Sequence, residues 1–281
     1  MTFQDAYDAL LSRWDVPVEQ LELTDEFGTT HVNACGPADG PPVVLLPGHG
    51  ATSPVWYAVA ARLASRYRVY AVDLIVDAGR STNTGRIPKT PTDLHMWLSN
   101  VLDGLGIDRV AFCGHSYGAW IALTYAIAHP ARVTRLALVD PTDCYTGLRL
   151  PYILRALPSL LRPSRARSES ILRWETQSLP VDPQVLELAG LAAEQPSTPF
   201  VRTKRPTDDQ LRALASAPLV FVADRSKSHD ASQLARRVNT LTPSATVVHL
   251  PQATHHSLPS LHADEVVAGL LAAWAHELPT E

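Results

Sequence analysis

Hydrophobic and polar positions along this chain switch between two periods, which predicts an alternation of strands and helices. Residues 42–48 (PVVLLPG) form a short, continuous apolar run, typical of a strand buried on both faces of a parallel sheet. The segment that follows, residues 56–66, carries apolar residues at helical spacing. Repetition of this unit along the chain predicts βαβ connections and an α/β fold.

The start of the chain follows a different pattern. An amphipathic helix is predicted at residues 3–13, followed by short strands at residues 18–23 and 29–35. Gly28 lies between these strands and suits a hairpin turn. The sheet is therefore predicted to begin antiparallel and to continue parallel.

The later elements complete a predicted set of eight strands. Further strands are predicted at residues 67–73, 109–114, 133–140, 218–224 and 245–251, and helices at residues 91–106, 116–130, 207–216, 230–241 and about 262–276.

The alternation of strands and helices stops between residues 146 and 205. This segment is rich in Pro, Leu and Arg, and we predict short helices broken by Pro158 and Pro163. We interpret it as a helical cap inserted into a core domain of residues 1–145 and 206–281. The cap carries nine Lys and Arg against five Asp and Glu. We interpret these charged residues as a solvated helix face. The alternative is that they bind an anionic substrate or an acidic acyl-carrier partner.

Composition narrows the function classes. The formal net charge of -4 gives no basic field for a nucleic-acid partner, and no apolar stretch approaches the length of a membrane span. The first residues lack the pattern of a secretory signal, so we expect a cytoplasmic protein. Three widely spaced cysteines, Cys35, Cys113 and Cys144, support neither a disulfide framework nor a zinc site.

One short motif carries candidate chemistry. Residues 113–120 (CGHSYGAW) place Ser116 between Gly114 and Gly118, after a predicted strand and before a predicted helix. A strand, G-x-S-x-G and helix in succession are typical of a nucleophile elbow, in which side chains at either glycine would obstruct the sharp turn. The start of the following helix favours negative charge developing near Ser116.

With this elbow and the order of its elements, the chain resembles the α/β-hydrolase superfamily over nearly all residues outside the cap. The resemblance implies a mostly parallel eight-stranded sheet flanked by helices, with an inserted helical cap. Residues 45–56 resemble the oxyanion loop of that family, with Pro47 in place of its usual histidine and Gly48 matching its glycine. The match implies oxyanion donors at the backbone N–H groups of His49 and Tyr117. If the match to the family's oxyanion loop is shifted along the sequence, the first oxyanion donor is the backbone N–H of Ala51 instead of that of His49.

The resemblance also implies a catalytic base in the loop after the last strand. His255 matches the family position, and the adjacent His256 is the alternative. The usual acid position, after the seventh strand, holds Ser226, which cannot balance the charge of an imidazolium. Asp140 ends the sixth strand, where some relatives, including certain thioesterases and dehalogenases, carry their acid. The remaining candidates for the acid are Asp143, Asp224 and Asp230.

These residues predict a serine hydrolase that forms an acyl-enzyme. His255, oriented by Asp140, would take the proton of Ser116, which would attack an ester, thioester or lactone. No cofactor or metal is needed, and the apolar cap favours a medium to large hydrophobic acyl group. The alternatives are an acyltransferase or cyclase, a thioesterase acting on carrier-bound acyl chains, and a non-catalytic binding module of the same fold.

Overall fold

The eight predicted strands form one sheet in the computed structural model, which describes residues 1–177, 179–196 and 199–275. The strands follow the spatial order β1-β2-β4-β3-β5-β6-β7-β8. Their bounds are β1 (Glu19–Asp25), β2 (Gly28–Cys35), β3 (Pro42–Leu46), β4 (Arg68–Val72), β5 (Val110–His115), β6 (Val133–Val139), β7 (Leu219–Ala223) and β8 (Thr246–Leu250).

The sheet changes from antiparallel to parallel as the sequence predicts. β1 and β2 form an antiparallel hairpin and β2 pairs antiparallel with β4, whereas every later pairing is parallel. The prediction of a mostly parallel α/β sheet is therefore confirmed. Because β5, β6, β7 and β8 run parallel as neighbours, the loops that leave their carboxyl ends meet at one edge of the sheet.

Helices lie on both faces of this sheet. Their bounds are α1 (Phe3–Leu11), α2 (Tyr57–Leu63), α3 (Pro91–Gly104), α4 (Tyr117–Ala128), α5 (Leu150–Leu161), α6 (Arg165–Thr176), α7 (Pro183–Ala192), α8 (Asp208–Arg212), α9 (Ala231–Leu241) and α10 (Ala263–Trp274). Threonine side chains cap the starts of α1, α3 and α8 and satisfy N–H groups that lack helical partners. His276, the predicted end of the last helix, lies outside the described residues. Every described helix is shorter than the roughly 20 residues that a bilayer-spanning helix needs.

Two apolar layers hold the helices to the sheet. On one face, Trp97 of α3 and Trp120 of α4 pack with Phe112 of β5. On the other face, α1, α2 and α10 pack against a layer that contains Trp56 and Phe221. Strands β3, β4, β5 and β7 are buried along almost their whole length. Buried central strands therefore support the loops at the carboxyl edge of the sheet.

Three described helices, α5 to α7, lie in the insertion at residues 146–205, and α8 follows it before β7. α6 packs against α7, and α7 packs against α1. The prediction that Pro158 breaks a helix is wrong, because α5 continues through it to Leu161. Pro158 and Leu154, whose carbonyl loses its helical donor, are both exposed, so water can satisfy that carbonyl. The division of the chain into a core and a separate cap domain stays a prediction.

Candidate active site

Ser116 lies at a sharp turn between β5 and α4. Its φ of 53° and ψ of -112° are a conformation that residues with a side chain rarely adopt. A Cβ atom at Gly114 would lie 2.4 Å from the Gly118 carbonyl oxygen, and one at Gly118 would lie 2.3 Å from the Leu46 carbonyl oxygen. Both Gly114 and Gly118 are therefore required for this turn to form.

Three predicted residues from separate loops meet at this turn. Ser116 Oγ lies 2.8 Å from His255 Nε2, and His255 Nδ1 lies 2.6 Å from Asp140 Oδ2. An ionised carboxylate only accepts hydrogen bonds, so Nδ1 carries a proton and, in the neutral ring, Nε2 accepts from the serine hydroxyl. The arrangement aligns a hydroxyl, a base and an acid in one line of hydrogen bonds.

The carboxylate of Asp140 is buried and held from several sides. Its Oδ1 accepts the Ala223 N–H at 2.9 Å, and its Oδ2 accepts the Ser226 hydroxyl at 2.9 Å. His229 Nε2 lies 2.9 Å from Oδ1, at ion-pair distance but without the alignment of a hydrogen bond. Burial alone would raise the pKa of Asp140, but His229 and His255 hold that pKa well below its usual value. The group is therefore an anion at neutral pH.

The other candidate acids point elsewhere. Asp143 accepts the Thr203 hydroxyl at 2.5 Å, Asp224 lies 2.7 Å from His249 Nδ1, and Asp230 caps the start of α9. Of the four aspartates considered from the sequence, the described structure brings only Asp140 to the His255 ring.

The two adjacent histidines occupy different environments. The ring of His256 lies beside that of His255, with centroids 4.9 Å apart, and it is His255 Nε2 that lies within hydrogen-bond distance of Ser116 Oγ. Burial and the neighbouring His255 lower the pKa of His256 to about 4. His256 is therefore neutral near pH 7, and the structure brings His255 to the serine.

The predicted oxyanion loop passes close to the elbow. A Cβ atom at Gly48 would lie 3.2 Å from the Ser116 Cβ. Tyr117 supplies the first N–H of α4, which has no acceptor within the helix. The N–H of Ala51, the alternative donor, is already bonded to the Gly48 carbonyl oxygen at 3.1 Å. The Ala51 N–H would have to give up this bond to reach a ligand at Ser116, and the assignment of the donor to His49 stays a prediction.

The side chain of His49 has a separate partner. Its Nδ1 lies 2.9 Å from Asp77 Oδ2, and the same oxygen accepts the Gly50 N–H at 2.6 Å. Partial desolvation of the ring alone would lower the pKa of His49, but the charge of Asp77 raises it. Asp77, which sequence reasoning did not single out, therefore fixes the shape of this loop.

Glu175, near the end of α6, is a second buried carboxylate that sequence reasoning missed. Its Oε1 accepts the backbone N–H of His255 at 3.0 Å and that of Lys227 at 3.3 Å, and its Oε2 accepts the N–H of His256 at 3.0 Å. It lies in the segment RARSESILRWET, whose charges are typical of a solvated helix. No sequence signal marked it, because its partners are backbone groups distant along the chain.

Two further histidines near the site were also missed. His229, already described beside Asp140, follows β7 and is buried. His115 lies against His255, with ring centroids 4.7 Å apart, and its Nε2 lies 2.9 Å from the His255 carbonyl oxygen. Burial and the neighbouring histidines lower the pKa of His115 well below its usual value, so this ring is neutral.

A cavity of about 520 Å³ lies between this site and the inserted helices. His49, His115 and His256, which border Ser116 and His255 in sequence or space, form part of its wall. Much of the remaining wall is apolar and includes Ala156, Leu160, Ile171, Leu172, Ala189 and Phe200. The cavity is of the size and character of small-molecule sites in proteins.

Comparisons with known proteins show the family and the fold of this chain. A family model described as the alpha/beta hydrolase family matches residues 43–269. The carboxylesterase YbfK of Bacillus subtilis is 28% identical over 275 residues, which cover 95% of this chain and 91% of YbfK. The crystal structure of naproxen esterase (carboxylesterase NP) from Bacillus subtilis superposes with a TM-score of 0.89 at 26% identity, covering 97% of this chain and 96% of that one.

Replacing Glu175 tests how strongly α6 holds the histidine loop. Glu175→Ala leaves one buried and two partly buried N–H groups without their acceptor, so we expect the free energy of unfolding to fall by about 3 kcal/mol. Glu175→Gln keeps one acceptor oxygen and should lose less. Urea unfolding measures both changes. Glu187→Ala, which removes a partly exposed partner of Arg165, is the control and should cost less than about 1 kcal/mol. Equal losses at Glu175 and Glu187 would contradict the expectation.

His229 should make stability depend on pH. Burial alone would lower the pKa of His229, but Asp140 raises it above the usual value. The stabilisation from its charge is therefore full below about pH 6.5 and is lost as pH rises through the raised pKa. We expect His229→Asn to lose more free energy of unfolding at about pH 5.5 than at about pH 9. Urea unfolding of both proteins at the two pH values measures this, and a loss independent of pH would argue against a charged His229.

Proposed function

Since the chain belongs to the alpha/beta hydrolase family, we propose that it is an ester hydrolase in which Ser116, His255 and Asp140 form the catalytic triad. One observation carries this assignment. Two hydrogen bonds, of 2.8 and 2.6 Å, link the serine hydroxyl through both nitrogens of His255 to a buried carboxylate. The relatives that are carboxylesterases support the same reaction class.

The first half of the reaction forms an acyl-enzyme. His255 Nε2 takes the proton of the Ser116 hydroxyl as the oxygen attacks the ester carbonyl carbon. The resulting imidazolium is stabilised by Asp140, which keeps its negative charge. His255 then gives the proton to the leaving alkoxide, which departs as an alcohol as the carbon–oxygen bond breaks. The acyl group remains on Ser116 Oγ.

Negative charge on the carbonyl oxygen needs hydrogen-bond donors during this step. We assign them as the backbone N–H groups of His49 and Tyr117, the predicted pair. Tyr117 N–H belongs to the start of α4, whose partial positive charge also favours an oxyanion. The side chain of His49 is held by Asp77, so His49 would contribute its backbone N–H to the oxyanion.

Water completes the cycle. His255, neutral again, takes a proton from a water molecule that attacks the acyl carbon, and returns that proton to Ser116 as the acid leaves. Asp140 has the same role in both halves. The reaction consumes one water and releases one alcohol and one carboxylic acid, with His255 and Ser116 restored.

The acyl group is proposed to be medium to large and hydrophobic. The cavity of about 520 Å³ next to the site has an apolar wall formed largely by the insertion. Burial of an acyl chain there contributes about 25 cal/mol for each Å² of apolar surface removed from water. Thioesters and lactones fit the same chemistry. An acidic acyl-carrier partner and a cytoplasmic location stay predictions.

Loss of the nucleophile tests the proposal directly. Ser116→Ala removes the attacking oxygen, so we expect kcat for p-nitrophenyl butyrate to fall by about 10⁶-fold while the protein remains folded. Intact-mass analysis after treatment with a fluorophosphonate should show one adduct in the natural sequence and none in Ser116→Ala. Labelling of a different serine, together with full activity of Ser116→Ala, would contradict the assignment of Ser116 as the nucleophile.

Loss of the carboxylate tests the position of the acid. Asp140→Asn leaves His255 in the wrong tautomer, and we expect kcat to fall by about 10³ to 10⁴. Asp143→Asn and Asp224→Asn are matched controls and should change kcat little. Because the Ser226 hydroxyl lies 2.9 Å from Asp140 Oδ2, Ser226→Asp added to Asp140→Asn should recover part of the rate. Near-normal kcat in Asp140→Asn would place the acid elsewhere.

A further inference from the structure

Helix α5 is unusual because none of its twelve residues is buried. Six of the ten large apolar side chains that are exposed in the described part of the chain belong to it. They are Leu150, Ile153, Leu154, Leu157, Leu160 and Leu161, and their exposed fractions run from 42% to 72%. A cluster of this kind on a protein surface marks an interaction site.

The charged residues within α5 and directly beside it in the sequence are all positive. Arg149 precedes α5, Arg155 lies within it and Arg162 follows it, and all three are exposed. Within the described residues none of them forms a salt bridge. Arg155 donates instead to the hydroxyl and carbonyl oxygens of Ser170. The face therefore combines exposed apolar side chains with uncompensated positive charge.

We propose that α5 docks this protein on an anionic lipid bilayer, with the helix lying in the plane of the membrane surface. Leucine and isoleucine beside arginine are the composition of helices that lie at such surfaces. Twelve helical residues extend only about 18 Å, which is too short to span a bilayer. The arginines complement the negative charge of the lipid headgroups.

The composition of the face favours a lipid surface over a protein partner. Its exposed residues are leucine, isoleucine, proline and arginine alone. Binding energy in protein interfaces is concentrated in tryptophan, tyrosine and arginine, whereas leucine is under-represented there. A fluid acyl layer accepts leucines in any register, so it needs no matching pocket.

Docking through α5 would also place the cavity beside the lipid. The side chains of Tyr152, Ala156 and Ser159 lie on this same helix and line the cavity. An apolar ester dissolved in the bilayer would then reach the cavity without crossing bulk water. The surface thus extends the function beyond ester hydrolysis to recognition of a membrane.

Vesicle sedimentation tests the proposal without depending on catalysis. We would use full-length Ser116→Ala protein, with vesicles of pure phosphatidylcholine and vesicles containing equal phosphatidylcholine and phosphatidylglycerol. We expect partitioning into the anionic vesicles to be at least about tenfold stronger. Leu154→Glu with Leu161→Glu should lower that partitioning by more than about tenfold. Ile87→Glu, at an apolar residue 45% exposed on the loop before α3, is the control and should change nothing.

The arginines give a second measurement. Arg155→Gln and Arg162→Gln should each weaken binding to the anionic vesicles by about fivefold and leave phosphatidylcholine unaffected. Thermal unfolding checks that each variant is folded. Equal binding to both vesicle types, or no effect of the leucine variants, overturns the proposal. An absence of vesicle binding also overturns the proposal, whether α5 then proves to form a dimer or to bind an acidic acyl-carrier protein.

Discussion

The buried carboxylate of Asp140 determines how the elements around the site must be arranged. Removing a carboxylate from water costs several kcal/mol unless every lone pair finds a partner, and Asp140 has no exposed surface. Its partners come from β7, from the loop after β7 and from the loop after β8. They meet only because β6, β7 and β8 are parallel neighbours whose carboxyl ends face one another. The order of strands at this edge is therefore a requirement of the site.

The histidines near Asp140 differ in the direction of their pKa shifts. His115 and His256 are neutral because burial lowers their pKa values, whereas the pKa of His229 is raised by its contact with Asp140. The contact with Asp140 therefore favours the charged form of His229 beside the carboxylate. In the proposed reaction, a further positive charge forms transiently on His255 when the serine loses its proton. This arrangement keeps a crowded group of imidazoles from repelling one another.

Sequence patterns predicted the fold well and the site in part. Buried apolar runs and the glycines around Ser116 are local signals, so the parallel sheet and the sharp turn could be predicted from the sequence. Asp140 was singled out because Ser226 left the usual acid position without a carboxylate, and its catalytic role stays a prediction. Glu175 and His229 could not be found, because their contacts are with groups that only the folded chain brings near. Pro158 was misread because the exposure of α5 lets water bind the Leu154 carbonyl, which removes part of the penalty that the rule assumes.

The bonds made by Glu175 have a consequence for redesign. The insertion supplies much of the cavity wall, which makes it an obvious unit to exchange between relatives in order to change the preferred acyl group. However, the same insertion provides the acceptor for the backbone of His255 and His256. A transplanted insertion without a carboxylate at the end of α6 would alter the placement of the histidine together with the pocket. An exchange of the insertion would therefore change the acyl preference and the placement of His255 together. Chimaeras should keep α6 with its own histidine loop.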